Sequence, residues 1–143
     1  MKRNLYFSLF GFLAAVALCS LTAPAQNLKD VWEVPFVFSV NNATLPAGQY
    51  IVQNGPVYCR LTTREGDKSV HFLPIPGSPN PKKAKATLVF RKYGQELFLA
   101  KIYTLAGSNC LEVLESRREK EVAAQLKIAT GQSYQPIEIA SHR

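Results

Sequence analysis

Two segments, Ala86 to Tyr93 and Leu97 to Tyr103, alternate apolar and polar side chains on either side of Gly94. In a strand, successive side chains point to opposite faces, so this pattern reads as an antiparallel pair with one buried face. It also predicts a register. An odd-length loop about Gly94 puts Ala86, Leu88, Phe90, Phe98, Ala100 and Ile102 on one apolar face. A two-residue loop would set Lys101 opposite Leu88 instead. A one-residue slip turns every side chain to the other face, so the odd loop is expected.

The preceding stretch carries the same period. Val34 to Val40 reads as one strand with Phe36, Phe38 and Val40 on one face, starting at or near an edge because Pro35 cannot donate. Asn41-Asn42 and Pro46-Ala47-Gly48 are turn signals, and Gln49 to Val52 is a strand stopped by Asn54-Gly55-Pro56. The second turn predicts a structural role for Pro46, Gly48 and Tyr50: proline fixes a corner, Gly48 takes a positive φ, and Tyr50 returns to the core. From Val57 to Arg64, Val57, Cys59, Leu61 and Thr63 face one way while Tyr58, Arg60, Thr62 and Arg64 face the other. Glu65 to Lys68 is a hairpin tip, after which Val70 and Phe72 point inward.

Leu73 to Lys85 holds four prolines and reads as a loop. Ala106-Gly107-Ser108 is a turn, and Cys110 to Leu114 a strand. Ser116-Arg117-Arg118-Glu119 fits a capping box, and Val122, Leu126 and Ala129 follow at helical spacing up to Gly131. This predicts a short helix over residues 117–129. Tyr134, Ile137 and Ile139 add a last extended piece before a loose tail. The chain is therefore expected to be mainly β, a small antiparallel sandwich or barrel of six to eight strands with one short C-terminal helix.

The N-terminus fixes a compartment. Lys2 and Arg3 precede an apolar run from Leu5 to Leu18, and Ala23-Pro24-Ala25 follows. These are the parts of a cleavable signal peptide over residues 1–25, leaving one domain at 26–143. The run is too short to span a bilayer, and no second one follows, so the mature chain is expected to have no transmembrane span. Export leads to the periplasm, the outer envelope or the medium. Cys19 leaves with the signal, so Cys59 and Cys110 remain as a candidate disulfide or as two buried thiols.

No catalytic signature stands out, and no cofactor is expected. The mature chain holds only His71 and His142, and no Gly-x-Ser-x-Gly stretch. Cys59, His71 and Cys110 could meet around a metal only through folding. Glu65-Gly66-Asp67 reads as a turn before it reads as a calcium loop. Glu112, Glu115, Glu119 and Glu121 read as a solvated face near the helix start. The formal charge of +7 is mild and loses Lys2 and Arg3 on processing. Lys82, Lys83 and Lys85 form the sharpest candidate, a mobile basic loop for an anionic partner. Nucleic acid is not expected, since stacking aromatics are missing there. The expected function is an exported non-enzymatic binding or structural module of the cell envelope or extracellular space, with an anionic envelope component or another protein as partner. The alternative is a small secreted hydrolase.

Phe36 to Val40, Thr44 to Tyr50, Leu88 to Gly94, Phe98-Leu99 and Ser116 to Glu119 with Glu121 recur together in this order in a known group. The chain resembles a family of small exported proteins common in Acidobacteria, which carries no assigned activity. It departs from that pattern at Lys92, at Tyr103 and after Leu126. Leu45 to Tyr50 alone also resembles a turn of prealbumin-like sandwich modules in surface proteins, which implies a sandwich.

Overall fold

The computed structural model describes residues 29–142, so residues 1–25, expected to be a signal peptide, and Cys19 among them lie outside the described residues. The chain is mainly β, and the described residues form two sheets and one α-helix near the C-terminus. The first sheet orders β1 (Val31–Val34), β4 (Gly48–Asn54), β5 (Cys59–Thr63) and β6 (Ser69–Phe72). The second orders β11 (Gln135–Ala140), β8 (Thr87–Tyr93), β9 (Glu96–Thr104), β10 (Asn109–Val113) and β7 (Pro74–Pro76). A small hairpin of β2 (Phe38–Val40) and β3 (Ala43–Leu45) joins β9 through a parallel bridge at Ser39 and Phe98. The inner faces enclose Trp32, Val34, Phe38, Val40, Tyr50, Leu61, Leu88, Phe90, Leu99 and Ile102. Phe90 sits centrally, with Phe36 and Phe38 edge-on at 5.1 Å each. Among the described residues no helix is long and apolar enough to cross a membrane.

Among the described residues eleven strands form where six to eight are expected, because single strands are split. Pro35 divides the Val34–Val40 segment, and the chain crosses there from the first sheet to the second. Phe36, Phe38 and Val40 still face the core. The proline-rich stretch contains β7, which pairs with β10 through Ile75 opposite Glu112. β7 is an edge strand, where proline's missing donor costs little.

The β8–β9 turn corrects the register expectation. Tyr93 pairs with Glu96, so the loop has two residues. A bulge then shifts the ladder: Phe90 opposes Leu99 and Val89 opposes Lys101, leaving Ala100 unpaired. The extra residue undoes the mismatch, and Leu88 lies opposite Ile102 rather than Lys101. The apolar sorting survives by a different route. Phe98 consequently turns to the other face of the sheet, opposite Arg91 and 5.9 Å from the Tyr93 ring.

The helix, α1, spans Arg117–Thr130. Ser116 caps it by accepting from the Glu119 amide at 3.1 Å, and Gly131 ends it with φ 68°. The tail is not loose: the Ser141 amide donates to the Ala86 carbonyl at 2.8 Å, and His142 exchanges two backbone bonds with Val31. The last residues thereby tie one corner of the two sheets together.

Tyr50 is fully buried as expected, and its hydroxyl donates to the Pro46 carbonyl at 2.5 Å. Gly48 does not adopt a positive φ. The turn is held by the tyrosine hydroxyl and the proline corner, with no left-handed residue at 48.

Candidate functional site

Four places bring polar chemistry together, and they differ in whether their groups already satisfy one another.

The first lies under α1. Glu119 is 2 % exposed, although the sequence placed it on a solvated face. The capping-box spacing is real, but only its Ser116 half is realised. The Glu119 carboxylate reaches sideways to Arg91, with Nε at 2.5 Å and Nη2 at 3.2 Å, and accepts from the Tyr93 hydroxyl at 3.3 Å. Burial works against the charge on Arg91, but the Glu119 hydrogen bond and charge outweigh it and hold the guanidinium above its ordinary value. Glu119 is the sole buried residue of α1, so this closed cluster anchors the helix. Glu112 and Glu121 are likewise paired, with Lys101 at 2.7 Å and Arg117 at 3.1 Å.

The second is the basic loop. Lys83 is bound to Glu138 and lies 5.8 Å from the Tyr103 ring centroid, so it ties the loop to β9 and β11. Asn80 organises the backbone: its amide donates to the Gly107 carbonyl at 2.9 Å, and its side chain accepts from the Lys82 amide at 3.1 Å. The segment is an anchored turn, where a mobile basic loop was expected. Lys82 and Lys85 are exposed and make no ion pair among the described residues.

The third is a concavity of about 350 Å³ beside the Pro46–Gly48 turn. Several of its polar side chains are matched among themselves. Thr63 donates to Asp67, which holds that carboxyl below the usual range, and Arg64 donates to the Gln49 side chain at 2.9 Å. His71 is not among the residues lining it.

The fourth is the outer face of the first sheet. Register builds it as a grid. Gln53, Arg60 and His71 form one row; Ile51, Thr62 and Ser69 form the next. Cys59 and Leu61 between them point into the core, which fixes Arg60 and Thr62 outward. One step beyond the ladder, the half-exposed Tyr58 ring packs on His71 at 5.2 Å. α1 lies against β8 of the other sheet, and Gln53, Ser69 and His71 stay exposed.

Arg60 stands apart on this face. Arg91, Arg117 and Arg118 each hold a carboxylate, and Arg64 holds an amide oxygen. Arg60 has only a 3.4 Å contact to the Ser69 hydroxyl. Its Nε and the Thr62 hydroxyl are sealed from solvent with no protein partner. Leaving such a group unmet costs about 1–3 kcal/mol. Alternation had placed Tyr58, Arg60, Thr62 and His71 outward, yet none was singled out as a site. A signal was available: from residue 34 to residue 95 the only acids are Glu65 and Asp67, at the hairpin tip.

The two described cysteines are free, buried thiols, the second of the two arrangements left open for Cys59 and Cys110. They belong to different sheets, and each already has other neighbours. Cys59 donates to Asn54 at 2.8 Å, and Cys110 packs beside Gly77 and Tyr103. Cys59 and His71 lie on opposite faces of the first sheet. Among the described residues no three His, Cys, Asp or Glu side chains converge to hold a metal ion.

Burial pushes the Tyr93 hydroxyl up to about 12, aided by the Glu119 charge, and the Tyr50 hydroxyl to about 12, aided by Asp67. Burial also pushes the Cys59 thiol up to about 11. Each native value lies above its ordinary one, so these groups favour the fold fully while both states are neutral. Unfolded thiol and phenol ionise first, and this stability is lost as pH rises from about 9 through 12. A denaturant midpoint that falls steadily across that window is the expected result. A midpoint that holds or rises between about pH 9.5 and 11.5 would contradict these burials.

No protein-family model, curated protein or solved structure matches this chain.

Proposed function

We propose that this chain is an exported, non-enzymatic binding module of the cell envelope or extracellular space, and that its binding surface is the outer face of the first sheet. One observation carries the reading: on the sheet that α1 leaves uncovered, the Arg60 Nε and the Thr62 hydroxyl lie just beneath the outer face with no protein partner, beside an exposed aromatic ring. At the other polar clusters most partners come from the protein itself. The charge balance and the N-terminal export signal agree with an anionic partner outside the cytoplasm. A hydrolase would need a nucleophile and an orienting carboxylate at His71, and among the described residues its side-chain contact is the Tyr58 ring.

Protein recovered from the exported fraction should begin at Gln26 or nearby. That protein should sediment with isolated envelopes and detach with rising salt, and Arg60→Gln should lose most of the bound fraction. Wild-type protein that remains in the supernatant, or Arg60→Gln that sediments equally, would contradict the reading.

A further inference from the structure

We propose that this face binds an acidic saccharide, with the Arg60 guanidinium receiving a uronate carboxylate and the Tyr58 ring receiving the apolar face of the sugar. The proposal rests on the reading of the chain as an exported binding module and names its ligand class.

The guanidinium fork matches a carboxylate with two parallel hydrogen bonds. Arg60 is the one described arginine without a carboxylate or amide partner, and its Nε–H has no acceptor. A ligand carboxylate that turns the guanidinium toward solvent meets donors that the fold leaves unmet. Around it, the exposed Gln53 amide and Ser69 hydroxyl stand at neighbouring grid positions, suited to sugar hydroxyls. Tyr58 is 48 % exposed, and its contact with His71 orients the ring without covering it. The surface is an open sheet face, which suits a length of polymer better than an enclosed small molecule. A polyphosphate backbone calls for several cations along its track. The central row of this grid supplies one arginine, which fits single, spaced carboxylates.

The test is titration of the exported protein with a short oligogalacturonide, its methyl ester, inorganic phosphate and a tripeptide with a free C-terminal carboxylate. The free-acid sugar should bind at least about tenfold more tightly than the ester, phosphate or tripeptide. Arg60→Gln and Arg60→Lys should each lose about tenfold, the lysine because it lacks the fork. Arg60→Lys keeps the charge and stem, which guards against a folding defect. Tyr58→Ala should weaken acid and ester alike, and the double variant Lys82→Gln with Lys85→Gln should bind within about twofold of wild type. Equal binding of acid and ester, an unaffected Arg60→Lys, loss only in the loop variant, or tripeptide binding as tight as the sugar would each overturn the proposal. Arg60-dependent sedimentation with envelopes that the oligogalacturonide fails to compete would overturn the saccharide alone. Failure to sediment with envelopes would overturn the binding reading beneath it.

Discussion

Glu119→Ala is expected to lower the stability of the domain by about 3–5 kcal/mol, the largest loss from any single substitution in α1. The magnitude follows from what stays behind. Arg91 carries a full charge in a site where its side chain is 13 % exposed, and Glu119 supplies both carboxylate oxygens to it. Without that carboxylate the guanidinium is left largely desolvated, with only a 3.4 Å contact to the Val113 carbonyl. The Tyr93 hydroxyl loses its acceptor as well. Because Glu119 is the only buried residue of α1, the helix should also lose its anchor, so its amides should exchange freely with solvent. Replacing both partners, Arg91→Met with Glu119→Leu, should cost clearly less than Glu119→Ala, since no orphaned charge remains. Glu121→Ala is the surface comparison: its partner Arg117 is 94 % exposed, so the change should stay within about 0.5 kcal/mol. Denaturant titration of the three variants beside wild type decides the matter. A loss below about 1 kcal/mol for Glu119→Ala would show that the ion pair does not hold the helix.

Gly107→Ala is expected to be the most damaging glycine substitution, at about 3 kcal/mol or more. Gly107 has φ +83°, where a Cβ is strained in any surroundings. A Cβ built there also falls 2.1 Å from the Asn80 carbonyl oxygen, far inside contact distance. That carbonyl belongs to the turn that positions Lys82 and Lys83, so the basic loop would have to move with it. Gly48→Ala is the contrast. Its φ is ordinary, and the nearest atom to a new Cβ is the Tyr50 ring at 4.0 Å. The substitution restricts the unfolded chain and should be neutral or stabilise by a few tenths of a kcal/mol, roughly. If Gly107→Ala melts like wild type, the packing of the 80s loop on the 105–107 turn is wrong.

The two glycines show where sequence reading stops. Pro-Ala-Gly invites a left-handed glycine, but the buried Tyr50 hydroxyl already closes that turn onto Pro46. The strand pair about Gly94 was legible because side-chain sorting is strong there. The bulge was not, since beyond Ala100 a two-residue turn with one extra residue sorts Leu88 and Ile102 as an odd loop does, and only the residues between bulge and turn, Phe98 among them, change faces. Pro35 was read as an edge, but switching sheets is a tertiary decision that alternation does not encode. Ser116 and Gly131 marked α1 within a residue of its observed ends. Glu119 misled because a capping-box glutamate and a buried counter-ion look alike until Arg91 is placed beside it. The candidate site was half legible. Alternation put Arg60, Thr62 and His71 on the outer face, but the lack of any carboxylate beside Arg60 is a property of folded neighbours.

The central claim is that function resides on that outer face. It is tested most directly by mapping backbone amide shifts of isotope-labelled exported protein as soluble acidic polysaccharide from its own envelope is added. The account predicts changes clustered at Gln53, Tyr58, Arg60, Thr62, Ser69 and His71, shrinking as salt rises. Changes centred on Lys82 and Lys85, on the Pro46–Gly48 concavity, or on no residue at all would contradict it.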